Sequence, residues 1–196
     1  MVKLVKFRNV LEDLFGTRER IKVLRILVQY PKEFTSRELS GYCDVSVRGV
    51  IDILTFFERY GFVKSRRVGK SILWKMDKNN YLIKSLILPM FKVEKDILEN
   101  LKREILVVTK NFPARKAVIY GSVAHGNERP DSDIDLLLVV EKKGTWMEEL
   151  QNKLRVRILE LFGNTLSIIV CTPSEYKKMA SGLKKEIEGG IVVFGD

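Results

Sequence analysis

One stretch of the chain, GSVAHGNERPDSDIDLLLVV at residues 121–140, constrains the fold more than any other. It places a glycine-serine turn before a cluster of acids that runs directly into an apolar strand. Asp133 and Asp135 alternate along that strand, so their side chains share one face. Two neighbouring carboxylates repel each other, and burying them unpaired is costly. A divalent cation such as Mg²⁺, which takes carboxylate oxygens and keeps phosphates as further ligands, would resolve both problems.

The turn before the acids is suited to hold those phosphates. A short apolar strand stops at Gly121, and Ser122 is predicted to begin a short helix, whose first backbone N–H groups favour anions. Gly121 allows close approach of the chain, the Ser122 hydroxyl can donate a hydrogen bond, and Arg129 adds a cationic contact. The sequence therefore predicts a site for a nucleotide and a metal ion.

These residues resemble the signature of the polymerase-beta-like nucleotidyltransferase superfamily, and of its small stand-alone form, the minimal nucleotidyltransferase. The resemblance covers roughly residues 112–194 and includes the tail GGIVVFG. The matching positions are Gly121, Ser122, Gly126, Arg129, Pro130, Ser132, Asp133, Asp135 and Leu136.

The resemblance implies nucleotidyl transfer from an NTP, most simply ATP, to a hydroxyl acceptor. It implies that Asp133 and Asp135 are catalytic and hold two Mg²⁺ ions, one for the acceptor hydroxyl and one for the triphosphate. It also implies nucleotide contacts from Gly121, Ser122, Arg129 and Ser132.

The sequence departs from the superfamily pattern at one position. A third carboxylate is expected on a later strand, here LSIIV, but Ser167 stands there and no acid occurs between Asn164 and Pro173. Glu160, at the end of the preceding predicted helix, is a substitute with the wrong spacing. Binding of NTP and Mg²⁺ is therefore better supported than turnover, and whether the chain is an enzyme stays open at this point. The only histidine, His125, and the loop acid Asp131 are expected to have no direct catalytic role.

The net charge of +10 lies entirely in the first half of the chain. Residues 1–92 contain 19 lysines and arginines against 9 acids, whereas residues 93–196 contain 16 of each. A localised positive field favours a polyanion, most plausibly nucleic acid, although a solvated lysine-rich surface is the simpler alternative.

The same half carries the pattern of three helices followed by a basic hairpin. The predicted caps are Thr17, Thr35 and Ser46, Gly41 is expected to close the second helix, and Gly69 turns the hairpin. An apolar stripe is predicted on the third helix at Val47, Val50, Ile51, Leu54 and Phe57.

This pattern resembles the winged helix-turn-helix of prokaryotic transcription regulators over about residues 10–78. Its ending is matched by Glu58, Gly61, Phe62, Val63, Arg66, Gly69 and Trp74. The resemblance implies binding of double-stranded DNA through residues 17–76, with the third helix in the major groove and the wing on the backbone. The implied contacts are Ser46, Val47 and Arg48 on the helix, and Arg66, Arg67 and Lys70 on the wing. A module for protein contacts is the alternative.

The fold class expected is therefore α+β in two domains. A winged helix-turn-helix is expected at residues 1–79, a helical linker at 80–111, broken or kinked by Pro89, and a nucleotidyltransferase domain with a small mixed sheet at 112–196. The linker stripe Leu82, Leu86, Val93, Ile97, Leu101 and Ile105 indicates packing or, less simply, a homodimer seam.

Composition excludes several classes. No apolar run is long enough to span a membrane and no signal peptide begins the chain, so a cytoplasmic protein without a membrane partner is expected. Two distant cysteines suggest neither zinc nor a disulfide, and the scarcity of glutamine weakly suggests a thermophile. Three hypotheses result: a DNA-binding nucleotidyltransferase, a transcription regulator that binds NTP and Mg²⁺ without turnover, and an antitoxin-like partner of a helical toxin.

Overall fold

The structure is a computed structural model that describes residues 9–195. The chain divides between Lys95 and Asp96 into two compact units, at a point inside the stretch predicted as a linker. Both units combine helices with a sheet, and the α+β class is confirmed.

The first unit contains four helices before a three-stranded sheet is complete. Its elements are α1 (Val10–Phe15), α2 (Arg18–Gln29), β1 (Phe34–Thr35), α3 (Ser36–Cys43), α4 (Val47–Arg59), β2 (Val63–Val68) and β3 (Ser71–Met76). The antiparallel sheet has the order β1-β3-β2, and β2 and β3 form the hairpin. This arrangement is a winged helix-turn-helix, as the resemblance implied.

Local signals fix the helix starts in this unit. The hydroxyls of Thr17, Thr35 and Ser46 each accept a hydrogen bond from a backbone N–H of the first turn that follows, and Thr35 forms a full capping box with Glu38. The end predicted for α3 is wrong, because the helix continues through Gly41 to Cys43. Asp44, in the left-handed conformation with φ 50°, ends it instead.

The stripe predicted on α4 is only partly correct. Val50, Leu54 and Phe57 are buried as expected, together with Ile53. Val47 and Ile51 are exposed instead, since the buried side follows 50, 53, 54 and 57. Gly69 has φ 58° in the hairpin turn, where glycine carries little strain. Trp74 of β3 is buried in the core of this unit, and its indole N–H has no hydrogen-bond partner in the described residues.

Pro89 lies at the start of the next helix, directly after an irregular helical turn. A five-residue π-helix, Ile83–Ile87, directly precedes α5 (Leu88–Thr109), whose second residue is the proline. The fully buried residues here are Ile83 and Ile87, one position beyond the predicted Leu82 and Leu86, which are half-buried. The buried stripe of this stretch is therefore offset by one residue from the predicted stripe.

The later part of the predicted stripe is not buried as one continuous seam. Leu101 and Ile105 lie in the core of the second unit, whereas the side chains of Val93 and Ile97 are 63% and 51% exposed. The stripe therefore serves packing at its end, and its middle remains open to solvent.

The second unit is a four-stranded mixed sheet with helices on both faces. Its further elements are β4 (Ala114–Tyr120), α6 (Gly121–His125), β5 (Ile134–Val140), α7 (Trp146–Phe162), β6 (Leu166–Cys171), α8 (Pro173–Lys177), α9 (Ser181–Glu188) and β7 (Ile191–Phe194). The strand order is β6-β5-β4-β7, with β5 and β6 parallel and the other two pairs antiparallel.

Alternation along β5 separates the two faces of this sheet. Ile134, Leu136 and Leu138 pack with α7 and the end of α5, and Leu137 and Val139 pack with α8 and α9. Asp135 belongs by alternation to the second face, at the start of the strand. Within residues 9–195, no helix combines the length and the apolar character that a membrane crossing requires.

Candidate functional site

The two acids predicted to act together lie at the beginning of β5. Asp133 is exposed just before the strand, and its carboxylate accepts a hydrogen bond from the Thr165 hydroxyl. Asp135 is half-buried inside the strand, between Tyr120 of β4 and Ser167 of β6, which are its register partners. The strand therefore places the first acid at the solvent edge and the second against the sheet.

The electrostatics of Asp135 are unfavourable in the folded chain. Burial raises the pKa of this carboxyl above its usual range, and the negative charges of Asp133 and Glu186 raise it further. A hydrogen bond from the Ser167 side chain lowers the pKa and offsets part of this effect. Negative charge therefore gathers at this site. The groups that shift the pKa of Asp135 include two acids and one hydroxyl, and none of them is a cation.

Gly121 is in close contact with this carboxylate. It is buried, begins α6 and has φ 73°. A Cβ at this position would collide with Oδ2 of Asp135, so glycine is required both by the backbone conformation and by the approach of the acid. The turn and the acid-bearing strand are thereby built as one site.

The remaining predicted nucleotide contacts divide into two groups. Ser122, in the first turn of α6, is half-buried, and its hydroxyl has no hydrogen-bond partner in the described residues. Ser132 instead closes its own loop: its hydroxyl accepts the Arg129 N–H at 2.9 Å, and its N–H donates to the Arg129 carbonyl at 2.9 Å. The Arg129 side chain is exposed. Ser132 thus shapes the loop before the acids, while Ser122 keeps a free donor.

His125 supports the turn from its other end. Its Nδ1 lies 2.7 Å from the Gly121 carbonyl oxygen, to which it donates. The ring is exposed, and the acid Asp131 is exposed in the loop as well. Neither residue contacts the two acids in the described structure.

The third carboxylate near the two acids is Glu186, and not the predicted substitute Glu160. Glu160 is exposed and lines a groove between α5 and α7, with Val107 and Val156. Glu186, on α9, is the acid whose charge is felt by Asp135 and Tyr120. Sequence reasoning missed it because α9 reaches this face only through tertiary packing, by Leu183 and Ile187.

The donor set fits a hard cation that also binds phosphate. Asp133 and Asp135 supply carboxylate oxygens, the ligands that Mg²⁺ prefers. Over residues 9–195, no group of three or more His, Cys, Asp or Glu side chains is close enough to hold a metal ion by itself. The two carboxylates would leave the other coordination positions of a bound cation to further oxygens, such as those of water or phosphate.

The predicted DNA-facing residues of the first unit are all at the surface or at a helix start. Ser46 caps α4, Val47 is exposed, and Arg48 is exposed with Nε 3.3 Å from Oδ1 of Asp52, one turn further along the helix. Ser46 is thus committed to its cap, and an exposed pair such as Arg48–Asp52 contributes little stability.

The wing cations are not equivalent. Arg66 makes a two-pronged ion pair with Glu33, with its Nε 2.8 Å from Oε1 of Glu33. This partner holds the pKa of Glu33 below its usual range. Arg67 and Lys70 are exposed, and the described residues offer them no ionic partner. Sequence reasoning missed Glu33, which lies 33 residues from its arginine.

A four-stranded mixed sheet with an acid pair beside a glycine-serine turn defines a nucleotidyltransferase-type unit. A profile of the family described as polymerase beta, nucleotidyltransferase matches residues 95–195. Since the match covers more than half of the chain, the protein belongs to that family. No curated protein matches the chain.

Several solved structures resemble the chain over about half of its length. A protein described as a minimal nucleotidyltransferase is 23% identical, over 48% of this chain and 90% of that one, with a TM-score of 0.36. The homodimeric winged helix-turn-helix DNA-binding domain of Mb0332 from Mycobacterium bovis is 15% identical, over 49% and 92%, with a TM-score of 0.36. A toxin-antitoxin structure with AMP-PNP is 12% identical, over 48% and 73%, with a TM-score of 0.38.

Proposed function

We propose that the protein is a DNA-binding nucleotidyltransferase that takes an NTP with Mg²⁺ and transfers a nucleotidyl group to a hydroxyl acceptor. The observation that carries the proposal is the contact between Gly121 and Asp135, which joins the turn suited to phosphate to the acids suited to a cation. Family membership supports the same reaction class.

The roles of the chain's own residues follow from their positions. Asp133 and Asp135 would hold Mg²⁺, which when bound neutralises phosphate charge and assists the acceptor hydroxyl. The Ser122 hydroxyl, which has no hydrogen-bond partner among residues 9–195, donates to a phosphate oxygen. Gly121 lets the backbone approach that phosphate, and the exposed Arg129 adds a positive charge. Positioning and charge neutralisation provide most of the rate in reactions of this type.

The first unit supplies binding to double-stranded DNA. We assign the strongest backbone contacts to Arg67 and Lys70, whose charges have no partner in the described residues. Arg66 makes a weaker contribution, since Glu33 already neutralises it. The N-terminal end of α4, with Ser46, Val47 and Arg48, faces the bases. The proposed division is a DNA-binding domain at 1–79, a linker at 80–111 and a transferase domain at 112–196.

Transfer of label from radioactive NTPs tests the catalytic part. The full chain with Mg²⁺ is expected to label an acceptor present in a cell extract, and the Asp133→Asn/Asp135→Asn variant is expected to label none. Equal labelling by both proteins would show that the acids do not carry the reaction, and absence of labelling by the wild type with every NTP would reject the transferase.

A regulator that binds the nucleotide without turnover is the second candidate. Ser167 favours it, because this hydroxyl donates to Asp135 at the position where a third carboxylate would assist the acceptor. In that case NTP and Mg²⁺ bind, and change DNA affinity, while no label is transferred. Ser167→Asp distinguishes the two: a gain of labelling in this variant alone identifies a site that binds but does not react.

A further inference from the structure

A lysine-lined cavity at the base of the wing belongs to none of the sites described above. Its volume is about 380 Å³, within the range of small-ligand pockets. Four lysines and a single aspartate line it, together with the apolar side chain of Met76. The charged residues are Lys32, Lys64, Lys75, Lys78 and Asp77.

Two of these lysines are held side by side. Lys64 of β2 and Lys75 of β3 are register partners in the antiparallel hairpin, and both are exposed. Like charges directly opposite each other destabilise a strand pair. The hairpin therefore maintains a repulsion that an anion between the two ammonium groups would remove.

A single acid positions one of the lysines without neutralising the cavity. Oδ2 of Asp77 lies 2.8 Å from Nζ of Lys64, and Asp77 is itself fixed by the Asn79 N–H, 3.1 Å from its Oδ1. Among residues 9–195, neither Lys75 nor Lys78 makes an ion pair within 4 Å, and the nearest further acid is Glu33, which is held by Arg66 and also feels the charge of Lys75. The lining keeps an excess of three positive charges.

The cavity lies at the end of the hairpin away from the wing turn. Lys64 lies four positions before Val68 at the turn, a distance of about 13 Å along a strand. A wing contacts the DNA backbone with its turn, and a concave pocket lined in part by an apolar side chain suits a compact ligand better than a duplex.

We propose that this cavity binds a small polyphosphate anion, either free or carried by a nucleoside. Lys64, Lys75 and Lys78 would contact the phosphate oxygens by charge-assisted hydrogen bonds. The site is separate from the acids of the second unit, and its existence does not depend on whether those acids catalyse transfer.

Calorimetric titration of the full chain tests the proposal. The probes are inorganic tripolyphosphate and ATP, in EDTA, so that Asp133 and Asp135 have no divalent cation with which to hold phosphate. The wild type is expected to bind at one site, and Lys75→Ala/Lys78→Ala is expected to weaken binding by at least about tenfold. Tighter binding of ATP than of tripolyphosphate identifies a nucleotide ligand; equal binding identifies the phosphates as the recognised group.

Two control variants make the result specific. Lys84→Ala removes one exposed charge from the same unit outside the cavity, and Asp133→Asn/Asp135→Asn alters the other site; both are expected to bind tripolyphosphate as the wild type does. The thermal midpoint of Lys75→Ala/Lys78→Ala is expected to match or exceed that of the wild type, since the substitution removes a repulsion.

The proposal is wrong if the wild type does not bind either probe in EDTA, or if the cavity variant binds as well as Lys84→Ala. It is also wrong if the Asp133→Asn/Asp135→Asn variant loses the binding. Loss of DNA affinity in the cavity variant equal to that of Arg67→Ala/Lys70→Ala, without probe binding by the wild type, would assign the lysines to the DNA footprint instead.

Discussion

Two arginines of the first unit and one acid of the second have opposite electrostatic surroundings. In the wing, Arg66 is already neutralised by Glu33, and on α4 Arg48 is paired with Asp52. On β5, by contrast, Asp135 feels two further negative charges and receives only a serine hydrogen bond. The positive charges of Arg66 and Arg48 are therefore compensated within the first unit, whereas the negative charge around Asp135 in the second is not.

This difference indicates where a ligand is needed. An arginine that is paired with an acid of its own unit needs no ligand to balance its charge, so its presence says little about function. Uncompensated carboxylates against a sheet reduce stability and are kept where a cation binds. The following substitutions test the contrast.

The largest effect is expected from Gly121→Ala. The new Cβ would meet Oδ2 of Asp135 and force apart the turn and the acid. We expect the rate of label transfer to fall by about 100-fold or more, the loss typical of a displaced catalytic group. We also expect weaker nucleotide binding, measured by titration with an NTP analogue and Mg²⁺.

Gly126→Ala is the matched control for that change. Gly126 has φ 68°, similar to Gly121, but no atom lies within 4 Å of its Cβ position. Its substitution carries the same backbone strain, about 1–2 kcal/mol, without the collision. If both variants lose nucleotide binding equally, strain in the turn and not contact with Asp135 explains the loss.

On the wing, Arg67→Ala/Lys70→Ala is expected to weaken binding of duplex DNA by about tenfold and to reduce the magnitude of the salt slope by about 2. Arg66→Ala should have a smaller effect, because that guanidinium is held by Glu33. The measurement is a fluorescence-anisotropy titration over a series of salt concentrations. An equal loss from Arg66→Ala alone would show that its ion pair opens on DNA at little cost.

Glu33→Gln tests the compensation directly. The variant removes a negative charge and frees Arg66, so DNA affinity is expected to rise by a few-fold and the salt slope to steepen by about 1. Because Arg66 holds the pKa of Glu33 below its usual range, the wild type is expected to keep the weaker affinity down to mildly acidic pH. Asp52→Asn, next to Arg48, is the comparison variant on α4.

The smallest effect is expected from Asp135→Asn in the absence of ligand. The folded-state pKa of Asp135 is raised, so its ionisation opposes folding; this penalty is absent below the unfolded pKa and complete above the folded pKa. The variant should therefore melt at a higher temperature than the wild type at neutral pH and show no advantage in strong acid. Scanning calorimetry at several pH values gives the answer, and a lower melting temperature at neutral pH would contradict it.

Local signals explain which parts of this structure could be predicted. Thr17, Thr35 and Ser46 cap helices through bonds to residues within one turn, and Gly69 serves a turn of its own strands. The position of Asp135 on a strand was also predicted, because alternation in a strand is a local signal. The small mixed sheet was predicted from the family resemblance.

Longer-range effects explain the rest. Glu33 and Arg66 meet only when the wing packs on β1, and Glu186 approaches Asp135 only after α9 folds onto the sheet. The π-helix at Ile83–Ile87, and the burial of Ile87 where Leu86 was predicted, are not anticipated by a spacing rule. Prediction thus failed where tertiary packing, and not the local sequence, decides which residue occupies a position.

The buried Trp74 provides an intrinsic fluorescence signal for the first unit. The chain has two tryptophans, Trp74 in the core of the first unit and Trp146 beside Phe112 in the second. Trp146→Phe and Trp74→Phe each leave a single emitter, so fluorescence from one protein would follow the winged helix and from the other the transferase unit. Ligand binding to each unit can then be followed separately over time by tryptophan fluorescence, without an attached dye.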